Sequence, residues 1–237
     1  MTVLAGPDED KYDVHHTRLV QHSAYFRKLL AGSQSDEAPV VVKVPGISAT
    51  YFEMYCHWVY TSELDYEALD YDDGAPCFVE LNSRLQEETD EGEREHLLDA
   101  IPEHSSILAD HLIRFWIHAD HFEDAKCQNT ISDELTNWFF NEYIPTSISP
   151  STIAFVDKQT RPGCPLRQFC IDWVDSDPVV GSKRSKRECL GEKAPKWLLL
   201  GLLSAKMRRE EGEWEEEGDP REASKKGRYY VHHVDDM

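Results

Sequence analysis

The sequence predicts an α+β chain weighted toward helix. Stretches of alternating apolar residues end at Val44, and beyond them apolar residues recur every three or four positions. Six Trp, nine Phe and ten Tyr among 237 residues supply a core, although 30% of residues are charged.

The elements follow in order. Thr2–Ala5 and Lys11–His15 read as two strands joined across Gly6-Pro7-Asp8-Glu9-Asp10, a turn-rich composition. From Thr17, the residues Leu19, Ser23, Phe26 and Leu30 repeat at helical spacing until Gly32. Val40, Val42 and Val44 alternate with Val41 and Lys43, as in a strand with one face more buried, and Pro45-Gly46 closes it. Ser48 offers a helix cap ahead of Phe52, Tyr55, Cys56 and Val59 on one face. Leu108, Leu112, Phe115, Ala119 and Phe122 then step by four, three, four and three, the pattern of an amphipathic helix. A second helix, from about Asn129, turns Ile131, Leu135, Trp138 and Phe139 inward until Pro145 stops it. Ser149-Pro150 opens another, a cap followed by proline at the first helical position, and Pro162-Gly163 breaks it. Pro165 starts a helix carrying Leu166, Phe169, Cys170 and Trp173. The last starts at Pro195 and is expected to bury Leu199, Leu202 and Leu203.

Lys plus Arg number 25 against 45 Asp plus Glu, a net charge of −20. Between Glu63 and Glu103 stand 15 acidic residues and two arginines, Arg84 and Arg94, so −13 of the total is local and −7 belongs to the rest. Within that segment Gln86–Glu95 has no apolar residue. Charges so dense repel one another and offset none of the entropy of ordering, which predicts a mobile surface insertion, with docking to a basic partner as the functional alternative. Tyr66, Leu69 and Tyr71 ahead of the run suit a short ordered piece. Such a balance disfavours direct binding of nucleic acid. The longest apolar run, Trp197–Leu203, is far short of the roughly 20 residues of a membrane span. The first seven residues lack the basic region and apolar length of a secretory signal. The expectation is a protein of the cytoplasm, the nucleus or both, with no membrane partner. Cys56, Cys77, Cys127, Cys164, Cys170 and Cys189 show no CxxC pairing, as reduced thiols do. Lys183, Arg184, Lys186 and Arg187 form a compact basic run, a nuclear-import candidate whose commoner reading is a solvated loop.

No Gly-rich phosphate loop, GxSxG elbow or HExxH pattern occurs. His111, His118 and His121 share one helix face, but Arg114 stands among them and would repel a cation, so a solvated polar face is expected there. His15-His16 and His232-His233 are adjacent pairs, and neighbours in a strand point to opposite faces. Cys127 and Cys170 lie at or beside apolar helical positions, as inert buried thiols do. The reading is of no catalytic residue, cofactor or metal, and no enzyme activity.

Four segments in order resemble the BTB/POZ domain of the filamentous-fungal type. Tyr12-Asp-Val-His15, followed by Leu19 and Ser23-Ala-Tyr-Phe26, is similar to the family's "F-x-V-H-x-x-x-L…S-x-x-F" element. Val41-Val-Lys-Val44-Pro, then Phe52 and Trp58-Val-Tyr-Thr-Ser-Glu-Leu64, resembles its third strand and the "W-L-Y-T-G-x-L" close of the next helix. Phe115-Trp-Ile-His-Ala119-Asp120-His-Phe122 resembles "L-Y-x-x-A-D-K-Y", and Asn129, Ile131 and Leu135 resemble the helix after it. Pro165-Leu166-Arg167 and Pro195-Lys-Trp-Leu-Leu resemble a helical extension. Two departures stand out: Met1 falls inside the family's first strand, and roughly 40 residues intervene after Leu64 where the family turns quickly into its next helix.

The resemblance implies a short three-stranded sheet with helical hairpins plus a C-terminal helical extension. It places a BTB/POZ-like domain at 1–143 with the acidic insertion at about 63–105, the extension at 144–207, and a charged, disordered tail at 208–237. It also implies a protein–protein interaction module that binds itself or other proteins, with a homodimer and a cullin-type ubiquitin ligase scaffold as the partners. The family's first strand and first helix form a two-fold surface, which here falls on Val3, Leu19, Tyr25 and Phe26, although a monomer core would use the same side chains. Two alternatives stay open: a nuclear regulatory or chromatin-associated factor using the basic run and the acidic segment, and a non-binding structural paralogue.

Overall fold

The computed structural model of the chain describes residues 1–31, 40–65, 78–139, 148–176, 194–210 and 228–231. They divide into two units, one from Met1–Cys77 and His118–Gln128, the other from Phe78–Ile117 and Asn129–Met237.

In the first unit β1 (Thr2–Ala5), β2 (Asp10–Asp13) and β3 (Val41–Val44) form a mixed sheet in the order β2-β1-β3. β1 runs antiparallel to β2, with Val3 opposite Tyr12, and parallel to β3, with Val3 opposite Val42. The β1–β2 turn needs left-handed backbone at Gly6 (φ 80°), which glycine adopts without steric cost. Val42 and Val44 are buried while Val41 and Lys43 face outward, the alternation read from the sequence.

The single helix expected from Thr17 is two, α1 (His16–His22) and α2 (Ala24–Leu30). Ser23 between them is extended; its hydroxyl accepts from the Phe26 N–H (3.1 Å) and donates to the Phe122 carbonyl (2.6 Å). Helical spacing survives the break because Leu19, Phe26 and Leu30 are all still buried, so periodicity alone concealed the cap. α3 (Ala49–Thr61) starts after an extended Ser48 whose side chain makes no capping bond. It ends at Ser62 (φ 60°), whose N–H reaches the Trp58 carbonyl at 2.8 Å. Phe122 lies at the aromatic centre, stacked on Tyr55 at 4.2 Å and on Phe26 at 5.6 Å.

The second unit holds α4 (Phe78–Glu87), α5 (Glu91–His121) as far as Ile117, α6 (Ala125–Phe139) from Asn129, α7 (Pro150–Gln159), α8 (Pro165–Ser176) and α9 (Lys196–Glu210). The Gln86–Glu95 run, expected as a mobile insertion, closes α4 and opens α5. Its charges serve the backbone. Asp90 Oδ1 accepts from the Glu93 N–H (2.9 Å), and Arg94 donates to the carbonyls of Leu85 (2.9 Å) and Glu88 (3.1 Å). Carboxylates at a helix N-terminus and a guanidinium on terminal carbonyls are favourable pairings. The apolar anchors Leu81, Leu97 and Ile101 are buried just outside the run, which is why the run taken alone looked unanchored. α5 continues through Pro102, a residue that reads as a helix stop in sequence.

α7 is capped as expected: Ser149 accepts from the Thr152 N–H (3.1 Å) and Pro150 opens the helix. α9 turns a different face inward from the one expected. Leu198 and Ala205 are buried, whereas Leu199 and Leu203 are exposed and Leu202 is intermediate. Five leucines between positions 198 and 203 leave the face undetermined by periodicity; Gly201 selects it. α9 packs on α8 there so closely that an added Cβ would meet Ile171 Cγ1 at 2.8 Å.

The tail expected to be disordered is ordered where it is described. Residues 208–210 complete α9. Tyr229 is buried with its hydroxyl on Asp172 Oδ2 (2.9 Å), and Arg228 Nε lies 3.2 Å from the same oxygen. Asn129 exchanges two bonds with the Val231 backbone, and the Tyr230 hydroxyl donates to Asp133 Oδ1 (2.7 Å). Aromatic side chains inside a charged stretch are what found partners. Gly32, Pro145, the Tyr66, Leu69 and Tyr71 piece, the basic run, His232-His233 and the expected boundary at 143/144 lie outside the described residues, as do the side chains of Trp138 and Phe139. Among the described residues no helix is long and apolar enough to cross a membrane.

Candidate functional site

Asp124 organises the interior of the first unit. Its buried carboxylate accepts from the Tyr55 hydroxyl (3.1 Å) and Trp58 Nε1 (3.0 Å) at Oδ2, and from the Cys127 N–H (2.9 Å) at Oδ1. His22 Nδ1 lies 3.9 Å from Oδ2. Three donors offset the desolvation of a buried carboxylate. Burial, reinforced by Asp124, pushes the Tyr55 hydroxyl and the Cys127 thiol well above their ordinary pKa values. Both therefore stay protonated, Tyr55 as a donor and Cys127 as a packed thiol. Cys56, likewise desolvated, is pushed up to about 12. These groups hold the fold.

The surface on this framework has a different character. Tyr60, near the end of α3, is exposed. Its hydroxyl accepts from the His15 N–H (3.0 Å) and lies 2.7 Å from His15 Nδ1. The exposed Arg18 sets its guanidinium 5.8 Å from the Tyr60 ring centroid. Tyrosine and arginine supply much of the binding energy in protein interfaces, and side chains already held in one geometry lose less entropy on docking. Leu29 and Val41 are the unit's other large apolar side chains exposed among the described residues.

Val3, Leu19 and Phe26, expected at an interface, are fully buried in this unit and form its core. A helical repeat shows which face is apolar and not which body covers it. Tyr25 is half-buried, 5.0 Å from the His121 ring. Of the polar stripe expected on α5, His121 is exposed and His111, Arg114 and His118 are half-buried; His118 lies against Tyr51 at 4.7 Å and His121 beside Tyr25 and Phe122. Partial desolvation lowers the His121 pKa from its ordinary 6.5, with Asp120 and Glu123 opposing. The import candidates Lys183, Arg184, Lys186 and Arg187 lie outside the described residues. Among the described residues no group of three or more His, Cys, Asp or Glu side chains is placed to hold a metal ion.

Sequence reading missed Asp124 and the Arg18–Tyr60 pair. Asp124 carried a usable signal, an aspartate three residues before the N–H it caps. The pair carried none, because Arg18 and Tyr60 are 42 positions apart and only the packing of α1 on α3 joins them.

The family model of the BTB/POZ domain matches residues 1–91, which carry the whole sheet, α1 to α4 and the first residue of α5. No curated protein matches the chain. The small three-stranded mixed sheet followed by helices is the α+β fold of that domain.

Proposed function

We propose that this chain, with its BTB/POZ domain over residues 1–91, is a protein–protein interaction module that has no chemistry of its own. The domain match is the observation that carries the reading. The exposed Arg18–Tyr60–His15 cluster supports α1 and the end of α3 as the binding face. Within this reading a second copy of the chain is the first partner and a cullin-type ubiquitin ligase scaffold the second. The four residue segments favour the filamentous-fungal type of the domain.

Sedimentation of the full chain, with a pull-down against a purified cullin, tests the proposal. Self-association or cullin capture is expected, weakened at least tenfold by Tyr60→Ala with Arg18→Ala, equal to about 1.4 kcal/mol. A chain that stays monomeric and retains no partner overturns it.

The basic run at 183–187 favours nuclear as well as cytoplasmic residence. Alanine at Lys183, Arg184, Lys186 and Arg187 is expected to shift a tagged chain to the cytoplasm; an unchanged distribution rejects nuclear import.

A further inference from the structure

Residues 228–231, near the C-terminus, are held in the way a peptide ligand is held. Side chains of α6 and α8 read both the tyrosines and the main chain of this segment. On α8, Asp172 Oδ2 accepts from the Tyr229 hydroxyl (2.9 Å), while Gln168 donates to Oδ1 (2.7 Å) and fixes the carboxylate. The Phe169 ring meets the Tyr229 ring edge-on at 5.3 Å. On α6, the Ser132 hydroxyl donates to the Tyr229 carbonyl (3.3 Å), and Asp133 Oδ1 accepts from the Tyr230 hydroxyl (2.7 Å). The Asn129 carboxamide takes both main-chain groups of Val231, accepting from its N–H (2.7 Å) and donating to its carbonyl (3.2 Å).

Such a seat does not require an occupant from the same chain. Because side chains bond the segment's main chain, the segment need not continue a helix or strand of the protein that receives it. Of the four residues only Tyr229 is fully buried; Arg228, Tyr230 and Val231 are half-buried, where water can replace their polar partners. Departure of the segment does not strand the buried Asp172 carboxylate either, because Arg208 of α9 also faces it. A second copy is the poorer occupant. Its tail would make in trans the contacts it already makes in cis, and would lose the advantage of tethering. A segment of another protein gives up no such contacts, and its flanking residues can add more.

We propose that α6 and α8 form a recognition seat for a partner protein's segment of the pattern basic–Tyr–Tyr–aliphatic, which residues 228–231 fill until such a segment displaces them. The seat belongs to the second unit, outside residues 1–91, so this proposal and the reading of the BTB/POZ domain can each fail alone.

The test uses the full chain and a labelled peptide with the sequence of residues 225–233. Tyr229→Ala with Tyr230→Ala empties the seat of its own ligand. Fluorescence anisotropy is expected to show saturable binding to this variant, about tenfold tighter than to the unaltered chain, whose own tail competes. The unaltered chain is expected to saturate as well, at higher peptide concentration. Phenylalanine in place of the peptide's first tyrosine is expected to weaken binding about tenfold, and a scrambled peptide not to bind. Asn129→Ala in the emptied chain is expected to weaken it similarly. A second chain, which folds with its tail in place, carries a specific protease site within 215–222; after cutting, excess labelled peptide is expected to exchange for the released tail. Absent binding, or equal binding of the scrambled peptide, overturns the proposal. A cut tail that neither leaves nor exchanges overturns it too, as a fixed part of the fold. So does a dimer of the unaltered chain that the emptied chain cannot form, which would assign the seat to a second copy.

Discussion

Removing the Asp124 carboxylate would strand three donors at once, the Tyr55 hydroxyl, the Trp58 indole and the Cys127 N–H. Asp124→Ala is therefore expected to destabilise the first unit by about 3 kcal/mol or more, with Asp124→Asn milder because an acceptor remains. Urea unfolding followed by tryptophan fluorescence measures both; a loss below about 1 kcal/mol for the alanine would show that the donors find other partners. His121 gives a pH dependence of stated sign. Its folded pKa is lowered from 6.5, so the unfolded chain binds the proton first. Stability is expected to fall as pH drops from 6.5 through the lowered value, and His121→Gln to flatten that slope in melts between about pH 7.5 and pH 5. An unchanged slope would assign the dependence to other groups. His121 itself was visible in the sequence, but its shift was not, because Tyr25 comes from a distant part of the chain.

Among the elements, those with local punctuation were legible. β3 showed its alternation and α7 its Ser149-Pro150 start, and the structure places both where those signals lie. Elements whose limits depend on distant partners were not. Ser23 divides α1 from α2 partly through the Phe122 carbonyl, 99 positions away. The α4–α5 junction rests on Arg94 reaching back to the end of α4. α9 offers the sharpest test at this scale. Gly201→Ala gains about 1 kcal/mol of helix propensity, but its methyl group collides with Ile171, a buried β-branched side chain with little rotamer freedom. Overpacking costs about 1–3 kcal/mol, so a net loss of about 1 kcal/mol is expected in urea unfolding. A stabilised variant would mean that Ile171 can move aside.

At the scale of the whole molecule, charge and order do not track each other. The acidic segment around Gln86–Glu95 forms the end of one helix, a hydrogen-bonded junction and the start of the next where density of like charge suggested mobility, and a tetrapeptide at 228–231 is fixed by Tyr229. Burial raises the pKa of Asp172 while Arg228, Tyr229 and Gln168 oppose that rise, so the carboxylate depends on the tail for much of its compensation. Tyr229→Ala is expected to destabilise the second unit by about 3 kcal/mol, from the lost ring and the lost hydrogen bond together. Tyr229→Phe, which keeps the ring, is expected to cost about 1 kcal/mol. Equal losses for both, read in thermal or urea unfolding, would place the whole effect in packing.

The chain's own order of residues determined the kind of element at most positions, the strand period, the proline and serine punctuation and the seat of the negative charge. Each of these depends on neighbours within a few residues. Only the tertiary structure decided what meets each apolar face: Val3, Leu19 and Phe26 went to the core, Leu199 and Leu203 to the surface, and Tyr229 inside. Burial joins residues far apart in sequence, and a periodic pattern fixes the direction of a side chain without naming what lies opposite.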